Sequence, residues 1–95
     1  MALKIILTTN ARRDIQQAID WENERLTGLG ERFLHHLEQK LSALSIKPFI
    51  GSVRYDSVRC TTTSVFQYVI HYTVNADAQL VTVLRVLHTR QRPLW

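Results

Sequence analysis

The chain is predicted to be an α+β protein with element order β-α-α-β-β-β, an antiparallel twisted sheet carrying a helical hairpin on one face. Three observations predict this. The first half holds two apolar stripes at helical spacing, separated by Thr27-Gly28-Leu29-Gly30. The second half holds β-branched and aromatic runs that alternate with period two, and one short apolar run precedes both halves. Elements with one apolar face must bury it against one another, and a helical hairpin laid on a sheet does so.

Leu3 to Thr8 is β-branched and apolar, which makes it the first strand. Thr9 and Asn10 offer side-chain oxygens to cap a helix beginning near Ala11, and Asp14 is placed in its first turn, where a negative charge suits the helix dipole. The stripe Ala11, Ile15, Ala18, Ile19, Glu22 and Leu26 has Glu22 as its polar interruption, with Trp21 beside it at the edge of the helix–sheet interface. Gly28 and Gly30 then mark a tight turn between helices. Leu29, Phe33, Leu37, Leu41 and Leu44 form the second stripe, which ends at Lys47-Pro48 because a residue before proline is pushed out of helical geometry. His35 and His36 point about 100° apart on such a helix, the wrong arrangement for a shared metal ion.

Val53 to Thr63 is predicted to be one strand, with Val58, Cys60 and Thr62 alternating against Arg59, Thr61 and Thr63. From Val65 to Val74 the alternation places Phe66, Tyr68, Ile70, Tyr72 and Val74 on one face. Asn75-Ala76-Asp77-Ala78 is a hairpin loop, and residues 80 to 88 return as the last strand. Pro93 forbids its continuation.

With 95 residues, 45% of them hydrophobic, residues 1–95 are expected to form a single domain around one modest core. The formal charge is +4. It is unevenly placed: residues 1–47 carry seven Lys or Arg against six Asp or Glu, whereas residues 48–95 carry five Arg against two Asp. An excess made wholly of arginine suits recognition of carboxylates or phosphates. Cys60 is the one cysteine, so no intramolecular disulfide forms, as expected of a reducing cytoplasm. No membrane span is expected, since the N-terminal apolar run is too short. Nothing in the residues calls for a cofactor, a metal or a small-molecule ligand.

Three stretches, in order, carry a family resemblance: Asp14-Ile15-Gln16-Gln17-Ala18-Ile19 with the following hairpin; Val58-Arg59 with Phe66-Gln67-Tyr68-Val69-Ile70-His71-Tyr72; and His88-Thr89-Arg90-Gln91-Arg92-Pro93-Leu94-Trp95. Together they resemble the RelE/ParE superfamily of toxins from bacterial toxin–antitoxin pairs. The chain departs from the family's pattern at Gln67, where the pattern has proline, at Thr89, where it has glycine, at Gln91, where it has a second arginine, and by one residue missing before Trp95.

The resemblance implies one of two actions. RelE-like members cut messenger RNA on the ribosome, and ParE-like members inhibit DNA gyrase by binding it. Cleavage by a 2′-hydroxyl needs a base, an acid and cations for the phosphorane charge, each proton-transfer group being worth about 10²- to 10⁴-fold. On the RelE-like pattern Arg59 and Arg90 match basic positions. Thr61 stands where a lysine would be, Tyr68 where an arginine would be, and Trp95 near the place of a tyrosine. Tryptophan offers only an N–H donor. The ParE-like reading is therefore preferred, with Arg59, Arg85, Arg90, Arg92 and Trp95 as target-binding residues. The alternative is a ribosome-dependent endoribonuclease, metal-independent, built on His88, Arg59 and Arg90 with ribosome and messenger RNA as partners. A non-toxic basic binding module on the same scaffold is a third reading. The resemblance also implies a cognate antitoxin whose segment wraps the toxin, and an acidic segment suits the arginine surplus.

Overall fold

The structure, a computed structural model, describes residues 2–89. Strand β1 (Lys4–Leu7) leads into helices α1 (Thr9–Arg25) and α2 (Leu29–Ile46), followed by strands β2 (Ser52–Tyr55), β3 (Val58–Thr62), β4 (Tyr68–Asn75) and β5 (Leu80–His88). The five strands form one sheet in the order β1-β5-β4-β3-β2. The α+β class and the helical hairpin on one face are as predicted.

Three local differences have physical causes. The stretch from Val53 to Thr63 is a tight hairpin, β2 and β3, because Asp56 takes a left-handed φ of 47° and reverses the chain there. Strand β4 begins at Tyr68 and not at Val65, since Val65 and Gln67 also sit at positive φ, 73° and 58°. The sheet is also mixed. β2 to β5 are antiparallel, but β1 lies parallel to β5, with Lys4 opposite Leu80 and Leu7 opposite Val83.

Helix α1 starts immediately after β1, two residues earlier than expected. Thr8 is its cap: the Thr8 hydroxyl accepts from the Ala11 N–H at 3.1 Å and donates to the Leu84 carbonyl at 2.9 Å. Asp14 therefore lies beyond the first turn, where it is 7% exposed. At the other end of α1, the Asn23 side-chain oxygen accepts from the N–H groups of Gly28 and Gly30 at 3.1 and 2.8 Å. One amide thus satisfies two donors at the start of α2, whose own cap residue, Gly28, is left-handed at φ 96° and has no side chain to offer.

The core lies between the hairpin and one face of the sheet. Ala11, Ile15 and Ala18 of α1 and Phe33, Leu37 and Leu44 of α2 pack on Tyr68, Ile70 and Tyr72 of β4 and on Val81, Val83 and Val86 of β5. Both predicted stripes supply it, although Leu41 is only half-buried. The pairing of β4 with β5 shifts register between His71 and Tyr72. Arg85 therefore lies opposite His71 while Val83 lies opposite Tyr72, and Leu84 is the extra residue of a bulge. The predicted alternation along β4 survives at Tyr68, Ile70 and Tyr72.

Candidate functional site

Residues opposed across antiparallel strands share a face. Tyr68 opposes His88 and Arg59 opposes Tyr72, so His88 and Arg59 lie on the helix-covered face. Cys60 opposes His71 and His71 opposes Arg85, which places these three on the other face.

The end of β5 is bordered by α1. β1 stops opposite Val83, and the first turns of α1 take its place along the β5 edge. Asp14 fills the gap: its Oδ2 accepts from the Val86 N–H at 3.0 Å and from Arg85 Nε at 2.6 Å, and its Oδ1 accepts from Arg85 Nη2 at 3.0 Å. The pairing is a two-pronged charge-assisted bond. The Asp14 carboxylate raises the pKa of Arg85 above its ordinary value through the hydrogen bond.

About two turns further along α1, a second buried carboxylate is held in a similar way. Glu22, 1% exposed, accepts from the Tyr68 hydroxyl at 3.0 Å and from Arg25 Nη1 at 3.1 Å. Burial, followed by the Glu22 carboxylate, drives the Tyr68 phenol far above its ordinary pKa. The α1 stripe that reads as apolar with one interruption contains two acids, each satisfied from the sheet. The spacing of Asp14 and Glu22 by eight residues places them on one face, but nothing in the sequence points to Arg85 and Tyr68 as their partners.

Between these two acids a cleft of about 360 Å³ opens, lined by Asp14, Gln17, Ala18, Trp21, Tyr68, Val86 and His88. The His88 ring packs edge-on to Tyr68 with centroids 5.1 Å apart and lies 6.0 Å from Trp21. Trp21 is 46% exposed, and the Arg25 guanidinium sits 5.1 Å from its ring centroid. Beyond Trp21 and His88 the surface continues into a second hollow, walled by Arg25, Leu29 and Arg32 on one side and by the strained turn Val65-Phe66-Gln67 on the other. A β-branched residue at positive φ is costly, and such strain gathers where a surface is used.

Arg59 lies elsewhere. Four residues of strand at about 3.4 Å and two strand spacings of about 4.8 Å place its Cα roughly 17 Å from that of His88. Its guanidinium donates to the Gly51 carbonyl at 2.8 Å and stacks on Phe49 at 4.9 Å. Arg59, Arg85 and His88 therefore do not converge on one point. Arg90, Arg92 and Trp95 lie outside the described residues.

On the uncovered face His71 is 1% exposed. Its Nδ1 lies 3.3 Å from the Tyr55 hydroxyl and 3.5 Å from Cys60 Sγ. Burial, with the Arg85 charge beside it, lowers the His71 pKa, although Asp14 opposes the shift. Burial also raises the thiol of Cys60 and the phenol of Tyr55. In the sequence His71 reads only as one residue of an alternating strand. Among the described residues no group of three or more His, Cys, Asp or Glu is placed to hold a metal ion, and no helix is long and apolar enough to cross a membrane.

A helical hairpin on a mixed five-stranded sheet, with an aromatic and basic cleft at the end of the longest strand, has the architecture of the small toxins of the RelE/ParE superfamily. Residues 5–93 match the family model described as the ParE toxin of the type II toxin–antitoxin system parDE, and the chain belongs to that family. Among solved structures it is similar to the chromosomal ParDE system from P. aeruginosa, at 13% identity over 92% of this chain and 96% of that one, with a TM-score of 0.79. It is similar to the RelBE2 toxin–antitoxin complex from Mycobacterium tuberculosis, at 22% identity over 93% and 99% of the two chains, with a TM-score of 0.69. It also resembles the intact E. coli RelBE complex, at 17% identity over 95% and 100%, with a TM-score of 0.72. At these identities the structural likeness is one of fold. No curated protein sequence matches the chain.

Proposed function

We propose that this type II toxin acts in the cytoplasm by binding and inhibiting DNA gyrase, and that a cognate antitoxin neutralises it. The observation that supports the reading is the separation of His88 from Arg59, the two candidate catalytic residues among the described ones. A ribonuclease must bring a proton-transfer group and cations within hydrogen-bond reach of one phosphate. Here the imidazole of His88 packs against Trp21 and Tyr68 on the helix side. The guanidinium of Arg59 is committed to Gly51 and Phe49, at the other end of the sheet. Arg85 is locked to Asp14. What the cleft does supply is an aromatic, partly exposed wall rimmed by Arg25 and Arg32, a surface suited to holding a protein partner.

The test is a supercoiling assay with purified protein and gyrase. Inhibition that rises with toxin and is relieved by the antitoxin is expected. Full supercoiling at excess toxin removes the reading, and new 5′ ends on ribosome-bound message in a primer-extension assay would replace it with the nuclease alternative.

A further inference from the structure

At the end of the molecule remote from His88, the connection between α2 and β2 exposes apolar side chains that a loop ordinarily keeps from water. Ile46 is 67% exposed, Phe49 58%, Ile50 47% and Val53 51%. The four fall within eight residues of sequence, and two of them meet at one corner around one side chain: Val53 opposes Arg59 across the β2–β3 pair, and Arg59 lies over the Phe49 ring. Isolated apolar residues on a surface are ordinary, but a cluster of four is a mark of an interaction site.

The loop carrying Phe49 and Ile50 is also held rigid. The buried Tyr72 hydroxyl donates to the Pro48 carbonyl at 2.8 Å and accepts from the Gly51 N–H at 2.9 Å. Arg59 donates to the Gly51 carbonyl at 2.8 Å. Both polar groups of Gly51 are therefore used, and the backbone is drawn so close that a Cβ there would meet Tyr72 Oη at 2.6 Å and the Cys60 carbonyl at 2.8 Å. Fixing an exposed aromatic in this way lowers the ordering cost of binding.

The charge around the corner selects the partner. Residues 46–60 contain Lys47, Arg54 and Arg59 against Asp56. β2 is also the last strand of the sheet on this side. We infer that this corner is the docking site for an acidic segment of the antitoxin bearing bulky apolar side chains, with Phe49 as the anchor that the segment covers. The inference rests on the antitoxin reading above and adds the place and the chemistry of the contact.

The experiment uses the full chain and the purified protein encoded by the small reading frame adjoining its gene, with affinity measured by titration calorimetry. Phe49→Asp and Val53→Asp are compared with the wild type after thermal melts show that both are folded. Loss of about 30-fold or more in affinity for Phe49→Asp, the size of an aromatic hot spot, is expected. Binding of the wild type should also weaken as salt is raised. Equal affinity of wild type and Phe49→Asp overturns the inference while leaving the antitoxin reading intact. No binding by the wild type sinks the antitoxin reading and this inference with it. Sedimentation of the toxin alone supplies the remaining outcome: self-association of the wild type that Phe49→Asp abolishes assigns the corner to a second copy of the chain and overturns the inference.

Discussion

Asp14 and Arg85, 71 residues apart in sequence, form a two-pronged ion pair that closes the β5 edge where β1 ends. The same carboxylate accepts the Val86 N–H, so one side chain replaces both a missing strand neighbour and a counter-ion. Removing it leaves a strand-edge donor and a guanidinium without their acceptor.

Asp14→Ala is therefore expected to destabilise the fold by about 2–3 kcal/mol, below the usual 3–5 for breaking a buried pair because the Arg85 side chain is 31% exposed. Asp14→Asn retains an acceptor for the Val86 N–H and should cost less. Urea denaturation of the two variants measures the difference, and equal costs would show that the charge, not the backbone bond, dominates.

The hairpin crossing is tested at Gly30. A Cβ there would lie 2.6 Å from the Ile19 carbonyl and 2.5 Å from Asn23 Nδ2, and a backbone atom does not yield as the end of a side chain does. Gly30→Ala should cost more than about 2 kcal/mol by forcing α1 and α2 apart. At Gly28 a Cβ would meet nothing, but φ is 96°, so Gly28→Ala should cost about 1 kcal/mol through backbone strain alone. The order of the two melting temperatures checks this.

These positions also show what was legible in the sequence. The helical hairpin was, because Gly28, Gly30 and the two stripes state it locally. The β2–β3 hairpin was not: the Asp56-Ser57 turn sits inside a polar, threonine-rich run whose alternation continues through it. The parallel pairing of β1 with β5 was equally hidden, since strand order depends on contacts between the chain's two ends. Among site residues, Arg85 reads in the sequence as a cation, but its partner Asp14 reads there as a charge suited to a helix dipole. Only tertiary structure brings residue 14 to residue 85. Trp21 reads in the sequence as an edge residue of the interface, yet its neighbours His88 and Tyr68 come from two strands whose order depends on tertiary contacts.

The buried His71 makes stability depend on mild acid. Its folded pKa is below the ordinary 6.5, so between those two values the unfolded chain binds a proton that the folded one refuses. Stability should be full above about pH 7 and fall as pH drops through 6.5, levelling once the folded pKa is passed. Tyr55, Cys60, Arg85 and Asp14 are the groups that surround this ring or set its shift. His71→Gln should flatten the slope, read as the difference in unfolding free energy between wild type and variant at pH 7 and pH 5. An unchanged slope would assign the acid sensitivity to other groups.

The tyrosines give the opposite sign at alkaline pH. Tyr55, Tyr68 and Tyr72, the three in the chain, all have phenols raised above the ordinary value of 10 by burial. A raised folded pKa contributes stability that is fully present below pH 10 and is lost as pH rises toward the folded value. Phenolate absorbance should consequently lag a free-tyrosine titration and then rise together with unfolding. Tyr68→Phe, which strips Glu22 of a buried donor, should cost about 1–3 kcal/mol at neutral pH.

His88 separates the two proposed modes of action. If it transfers a proton in RNA cleavage, His88→Gln should slow cleavage by about 10²-fold or more, the usual worth of a proton-transfer group. If the protein acts by binding gyrase, the same substitution removes one ring from a cleft whose other aromatic walls, Trp21 and Tyr68, remain. The amide of glutamine keeps a polar group in that place without the imidazole's capacity to titrate. Gyrase inhibition by His88→Gln is then expected to stay within about fivefold of wild type, because truncation at most positions of an interface costs under about 1 kcal/mol. Growth arrest on induction provides the second reading in cells. A variant that loses arrest completely while still inhibiting purified gyrase would mean that the toxicity runs through a different target.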